Sequence, residues 1–368
     1  MKKYLLVLLS FSILNSCDTV VDNNPANNLK GIDVIRMTAE KEDLINFFNN
    51  KFTDYGFPVL IHYKGERIRG SAEALGAGSR YFPQKSFVVR TDGSLIDEFY
   101  EFNLSSQIYD KTMMKTALAS YLYRSAGFPV FYSKDIFLTI NNENYGVYSF
   151  IERVDEEFFR KRNISLFELY KVQFDSKFTF TRRNSVQENF DKDFPDDDGN
   201  FHFLEEFINT IDRADTGRIF EELGKHLDIR NYLMYHAVSS VRNDPDSFTN
   251  NFFLYKSSPD APFRVIPWDF DKTMFGNISL YGDNDLILKL LLNDSCRTIY
   301  RHNVRYIIEN LFTETALFPI IDSIYIQIKD FYPFGPYHKD NDLYKEKEEL
   351  KSGIIQRREE LLSLLGTD

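Results

Sequence analysis

The stretch "VRNDPDSFTNNFFLYKSSPDAPFRVIPWDFDKTMFG", Val241 to Gly276, gathers Asp244, Asp246, Asn250, Asn251, Asp269 and Asp271 around two apolar runs and holds the only tryptophan, Trp268. Carboxylates are costly to take out of water unless positive charge compensates them. The runs "NFFLY" and "FRVIPWD" have the aromatic and β-branched content of strands, and "KSSPDAP" between them is rich in turn formers, so the stretch predicts a hairpin. A hairpin sets its two ends side by side, which lets Asn251 and Asp269 share one hard cation with the oxygen preference of Mg²⁺. The same spacing suits an ordinary surface turn, with Asp244 and Asp246 flanking Pro245 and the other side chains capping loops. Spacing alone leaves both readings open.

Around the hairpin the chain is helical in pattern. "EEFFRKR", "HFLEEFINTIDR", "TGRIFEELGKHLDIRNYLMYHAVSSV", "TIYRHNVRYIIENLFT" and the charged tail "KEKEELKSGIIQRREELLSLL" all repeat apolar residues at helical spacing. Upstream the pattern is strand-like. "FPVLIHYKGERI" and "KSFVVRTD" read as strands separated by the Gly- and Ala-containing "GSAEALGAGSRYFPQ". "DKTMMKTALASYLYRSAG" reads as one amphipathic helix stopping at Gly127, and "DIFLTINNENYGVYSFIERVD" as strand, Asn-rich turn, strand. This order predicts an α+β fold of two lobes, a sheet-rich amino-terminal lobe over about 32–155 and a mainly helical lobe over about 156–368. The cleft between the lobes is the expected ligand site.

At the amino terminus Lys2 and Lys3 precede an apolar run, Tyr4 to Leu14, that is too short to cross a bilayer and has the form of a secretory leader. The run ends in "LNSC", which resembles a bacterial lipobox. Residues 1–17 are therefore expected to be a leader ending at a lipidated Cys17, and residues 18–31, Asn-rich and broken by Pro25, a tether. That places the protein in a bacterial envelope, held to a membrane through Cys17. Cys296 would then be the only other cysteine, which rules out an intrachain disulfide. The net charge of -11, from 44 basic and 55 acidic residues, argues against a broad nucleic-acid-binding surface.

Protein kinases carry a catalytic-loop Asp, a metal-binding Asn five positions later, and a further metal-binding Asp. Asp246, Asn251 and Asp269 repeat that order. "DPDSFTNNFFLY" and "VIPWDFDKTMFG" resemble the two central motifs of the spore coat protein H (CotH) kinase family, and "YGVYSFIERVDEEFF", "LYK" at Leu169 to Lys171 and "GAGSRYFPQKSF" resemble further family segments in the family's order. The resemblance runs from about Ile32 to the carboxy-terminal helices. It implies an atypical kinase-like fold and transfer of phosphate from ATP, with Mg²⁺ or Mn²⁺, to an alcohol group on a protein of unknown identity. Residue by residue it implies Asp246 as the catalytic base, Asn251 and Asp269 as metal ligands, Asp271 as the second carboxylate of the metal motif, Lys85 as a contact to the ATP phosphates, and Glu152 beside the adenine site. Two positions depart from the family: Leu75 stands where an Arg is usual, and Asp244 where an Asn is usual.

Other arrangements carry less. Asp196, Asp198, Gly199 and Glu205 lie at offsets like those of a calcium loop, but Phe194 occupies the first ligand position, so a solvated loop is expected. The six histidines show no metal-ligand spacing. The 35 Phe and 22 Tyr also fit a different class of protein, an envelope lipoprotein with a degenerate kinase fold that binds a glycan or protein partner.

Overall fold

The computed structural model describes residues 29–49, 55–76, 79–173, 180, 185–196, 199–282 and 284–366. The leader, Cys17, most of the tether and Asp198 lie outside them.

Alternating burial along the amino-terminal strands closes them around a common interior. The strands are β1 (Asp33–Thr38), β2 (Phe57–Tyr63), β3 (Glu66–Leu75), β4 (Ser86–Thr91), β5 (Glu101–Ser105), β6 (Ser133–Ile140) and β7 (Glu143–Glu152), with helices α1 (Lys41–Asn49) after β1 and α2 (Lys115–Ser125) after β5. They form a closed barrel in the order β1-β2-β3-β4-β5-β7-β6, sealed by parallel pairing of β1 with β6 from Asp33↔Ile136 to Met37↔Ile140. Ile35, Ile61, Phe87, Phe102, Leu104, Leu138 and Phe150 fill the interior and are inaccessible to solvent. Phe47 of α1 joins them, stacked on Phe87 at 5.0 Å. Each such side chain contributes about 1.5–3 kcal/mol by leaving water.

Two details differ from the expectation. "FPVLIHYKGERI" is not one strand but β2, a turn and the start of β3, because Lys64 and Gly65 both take positive φ (48° and 87°) as a tight hairpin turn requires. "GSAEAL" is not a separator. It completes β3, with Ala72 and Ala74 buried in the barrel.

The second lobe contains α3 (Glu156–Lys161), β8 (Glu168–Val172), α4 (Val186–Asn189), β9 (Phe190–Phe194), α5 (His202–Arg213), α6 (Ile219–Glu222), α7 (Ile229–Val241), β10 (Phe252–Lys256), β11 (Arg264–Pro267), α8 (Asp285–Leu291), α9 (Asp294–Asn310), α10 (Glu314–Ile328) and α11 (Leu343–Gly366). The expected hairpin is β10 and β11, antiparallel with Phe252 opposite Pro267. It does not stand alone: β8 pairs with β10 and β9 with β8, giving a four-stranded sheet in the order β11-β10-β8-β9. The segment expected as a solvated loop therefore begins as edge strand β9. Helix α7 is buried on nearly every side and leads into the turn that carries Asp244 and Asp246. Helix α2 bridges the lobes: Tyr123 stacks on Tyr235 of α7 at 5.6 Å and on Phe270 at 5.3 Å.

Candidate active site

Where α7 ends, Asn243 takes a positive φ of 57° and the chain turns into a short 3₁₀ helix, Pro245–Phe248. Asp244 caps this turn, its Oδ1 accepting from the Asp246 backbone N–H at 3.0 Å. Asp244 is inaccessible and paired with the equally buried Arg242 at 2.7 Å. Burial raises the Asp244 carboxyl above its ordinary value, and the Arg242 charge opposes that rise. Arg242 also donates to the Thr273 hydroxyl at 2.5 Å, the Tyr123 hydroxyl at 3.3 Å and the Ser247 hydroxyl, and its carbonyl accepts from Met274 N–H at 2.8 Å. One guanidinium thus ties α7, α2, the catalytic turn and the segment after β11 together.

That knot sets the acidic groups. The Asp246 carbonyl accepts from the N–H groups of Asn250 and Asn251 at 2.9 and 3.1 Å, which aims Asn251 back across the turn. The Asn251 amide nitrogen donates to the Asp269 carbonyl at 3.3 Å, so its oxygen is the end left for a ligand. Trp268 packs edge-on against Phe131 at 5.0 Å and Phe270 stacks on Phe131 at 4.9 Å, while Asp269 and Asp271 both line the cleft. Asp269 reaches this position in the left-handed region, φ 51°, which Asp tolerates better than most residues.

Asp246, Asn250, Asn251, Asp269 and Asp271 line one cleft of about 230 Å³ between the lobes. Its opposite wall is the outer face of the barrel: Ser86 of β4, Asn103 and Ser105 of β5, Ile151 of β7, and Ser106 and Gln107 beyond β5. The acidic end is electrostatically crowded. Asp269 is surrounded by protein yet open to solvent at the cleft mouth. Desolvation, then the charges of Asp244 and Asp246, push its carboxyl up to about 6. Asp271, more deeply buried, is raised further, by desolvation and then by Asp269. Two carboxylates held where their charges are unfavourable, beside an amide oxygen, are the donor set expected of a Mg²⁺ or Mn²⁺ site that also uses phosphate and water oxygens. No group of three or more His, Cys, Asp or Glu placed to hold a metal occurs among the described residues, so this set depends on Asn251 and on ligand oxygens.

Two lysines in the cleft were missed by sequence reasoning. Lys272 donates to Asp246 Oδ2 at 2.5 Å; burial works against its charge, but Asp246 outweighs it and raises its pKa. Lys171 of β8 lines the same cleft, and its charge acts on Asp269. Both stood inside quoted motifs, "WDFDK" and "LYK", where their positions next to motif residues were the available signal. Arg242 had no signal in the sequence.

Lys85 and Glu152 do not line the cleft. Lys85 immediately precedes β4. Because alternate residues of a strand face opposite ways, its neighbour Ser86 takes the cleft face. Lys85 lies with Phe87, its ammonium donating to the Arg80 carbonyl at 2.8 Å and standing 5.8 Å from the Phe47 ring. The structure thus does not bring Lys85 together with Asp246, Asn251, Asp269 and Asp271 in the cleft lining. The same alternation on β7 gives Ile151 to the cleft and turns Glu152 away, where both its oxygens accept from Arg162 at 2.6 and 3.0 Å and Oε2 also accepts from Tyr132 N–H at 2.7 Å. Glu152 braces the link between lobes through Arg162 and is not among the residues that line the cleft.

The CotH kinase protein family model matches residues 66–361. The inner spore coat protein H of Bacillus subtilis (strain 168) is 24% identical over 340 residues, spanning 85% of this chain and 91% of that protein. Among solved structures, the HipA toxin–antitoxin complex of Shewanella oneidensis MR-1 aligns over 90% of this chain and 73% of its own at 10% identity and a TM-score of 0.41. The Helicobacter pylori proinflammatory kinase CtkA aligns over 77% and 93% at 11% identity and a TM-score of 0.34. On the extent of the family match, covering both lobes and every residue of the acidic cleft motif, the chain belongs to the CotH kinase family.

Proposed function

We propose that the protein is an ATP- and Mg²⁺- or Mn²⁺-dependent phosphotransferase acting on an alcohol group, in keeping with its kinase-family membership. The observation that carries this reading is the meeting of Asp246, Asn251, Asp269 and Asp271 in one cleft between the lobes. Asn251, Asp269 and Asp271 would hold the divalent cation, which when bound neutralises phosphate charge and orients the transferred group. Asp246 accepts the proton of the acceptor hydroxyl as its oxygen bonds to the γ-phosphorus and the bond to the leaving ADP breaks. Lys272, already on Asp246, would set a positive charge beside the base, and Lys171, which lines the same cleft, would supply a second to a bound phosphate.

A general base typically contributes about 10² to 10⁴ in rate. Asp246→Asn is expected to lose transfer by that order while binding Mg-ATP within a few-fold of the parent, measured by phosphate incorporation and by calorimetry. Unchanged transfer would remove Asp246 from the role of base. A parent that binds Mg-ATP and transfers to no acceptor, itself included, would favour the degenerate, partner-binding reading.

We further propose that Cys17 carries a lipid that holds the protein to a bacterial envelope membrane. The support is the "LNSC" sequence after a short apolar run. Cys17→Ser is expected to release the protein from membranes or leave the precursor uncut; an unmodified mature terminus elsewhere, by intact mass, would refute it.

A further inference from the structure

The upper wall of the cleft contains one polar side chain with an unmet requirement. Asn103, in the middle of β5, is 3% exposed and lines the cleft, and its Oδ1 is buried without a hydrogen-bond partner among the described residues. A buried acceptor left unpaired costs free energy, so native structures rarely retain one without a use. Apolar side chains stand beside it. Asn103 sits in register between Val88 of β4 and Ile151 of β7, and Phe131, Val172 and Trp268 line the same space. Ile151 is the last cleft-facing residue of β7 before the link to the second lobe, so Asn103, its partner in register, lies on the link side of the cleft.

A cleft that sets Ile151, Phe131, Val172 and Trp268 beside the unpartnered Asn103 amide, with Ser86, Ser105 and Gln107 further along the same wall, offers a purine ring both apolar contact and a polar partner. Of the ring's polar groups, an exocyclic amine is the donor that an orphaned carbonyl oxygen lacks, and an amide can pair at once with such an amine and the adjacent ring nitrogen. We propose that Asn103 is the residue that reads the nucleobase, accepting from the 6-amino group of adenine and so favouring ATP over 6-oxo purine nucleotides. This rests on the phosphotransferase reading above, and places base selection on a barrel side chain rather than on Glu152.

The test compares Mg²⁺-dependent binding of ATP, ITP and inorganic tripolyphosphate to the parent domain and to Asn103→Leu, a change of similar size that removes the amide. The parent is expected to bind ATP about tenfold more tightly than ITP, and N103L to lose that preference through weaker ATP binding, with tripolyphosphate unchanged. With no ligand, N103L is expected to melt at or above the parent's temperature, because an unpaired acceptor has been removed. Asn103→Ser serves if N103L does not fold, with the same loss of preference expected. An undiminished ATP preference in the folded variant overturns the assignment while leaving the phosphotransferase reading intact. A clear drop in melting temperature in both variants marks the amide as structural and also overturns it. A parent that binds tripolyphosphate and both nucleotides equally refutes base reading alone, and a parent that binds none of the three refutes both readings.

Discussion

Asp269 combines a left-handed backbone with a carboxyl raised to about 6. Its ordinary value is 3.8, so between about pH 4 and 6 the folded state binds more protons than the unfolded one, and stability falls as pH rises through that window. A cation would reverse this by favouring the charged form. Asp269→Asn, nearly isosteric, is therefore expected to raise the melting temperature of the metal-free protein near pH 7, to flatten its pH dependence between 4 and 6, and to abolish any stabilisation by Mg²⁺. Differential scanning calorimetry with and without Mg²⁺ reads all three. A lower melting temperature at pH 7 would mean that the carboxylate is structural. At this scale the sequence was legible in which residues would meet: Asp246, Asn251, Asp269 and Asp271, singled out by type and order, share one cleft. It was silent where the answer depends on which way a strand faces: Lys85 and Ser86 differ by one position, only Ser86 lines the cleft, and nothing in "PQKSF" sets that parity.

Among the elements, the catalytic turn is held by a pair invisible to local pattern. Arg242 and Asp244 are two residues apart, and the partners that bury them, Tyr123 and Thr273, come from α2 and from beyond β11. Removing one member of a buried ion pair typically costs about 3–5 kcal/mol because the other is left charged and unpaired. Arg242→Met is expected to lose stability on that order in urea denaturation, and the double change with Asp244→Leu to recover part of it. Equal losses in the single and double variants would show that the guanidinium acts through packing on Tyr123 and Phe270 instead. The sheet was half legible for a related reason. β10 and β11 are apolar runs around a turn, whereas β9, "FDKDF", sets three charged residues in a row between two phenylalanines on a sheet edge and reads locally as loop. Only its pairing with β8 makes it a strand.

For the whole molecule, the brace between Glu152 and Arg162 matters more than its position beside the cleft suggests. Both Glu152 oxygens accept from Arg162, whose guanidinium stacks on Phe158 at 3.8 Å and donates to the Val130 carbonyl at 2.8 Å, spanning the connection between barrel and helical lobe. Glu152→Gln is expected to leave ATP affinity within about threefold while speeding proteolysis between residues 152 and 162, since a neutral amide can no longer meet a bidentate guanidinium. A selective loss of ATP affinity with unchanged proteolysis would restore Glu152 to the base site. The closed barrel also determines how the molecule carries mechanical load. A pull on the chain from its amino-terminal side enters through β1, whose bonds to β2 and β6 lie across the direction of the strand. Tension along β1 therefore shears these two ladders together instead of unzipping them one bond at a time. A protein held from that side would meet drag on its body first with these two ladders, which lie in the barrel wall.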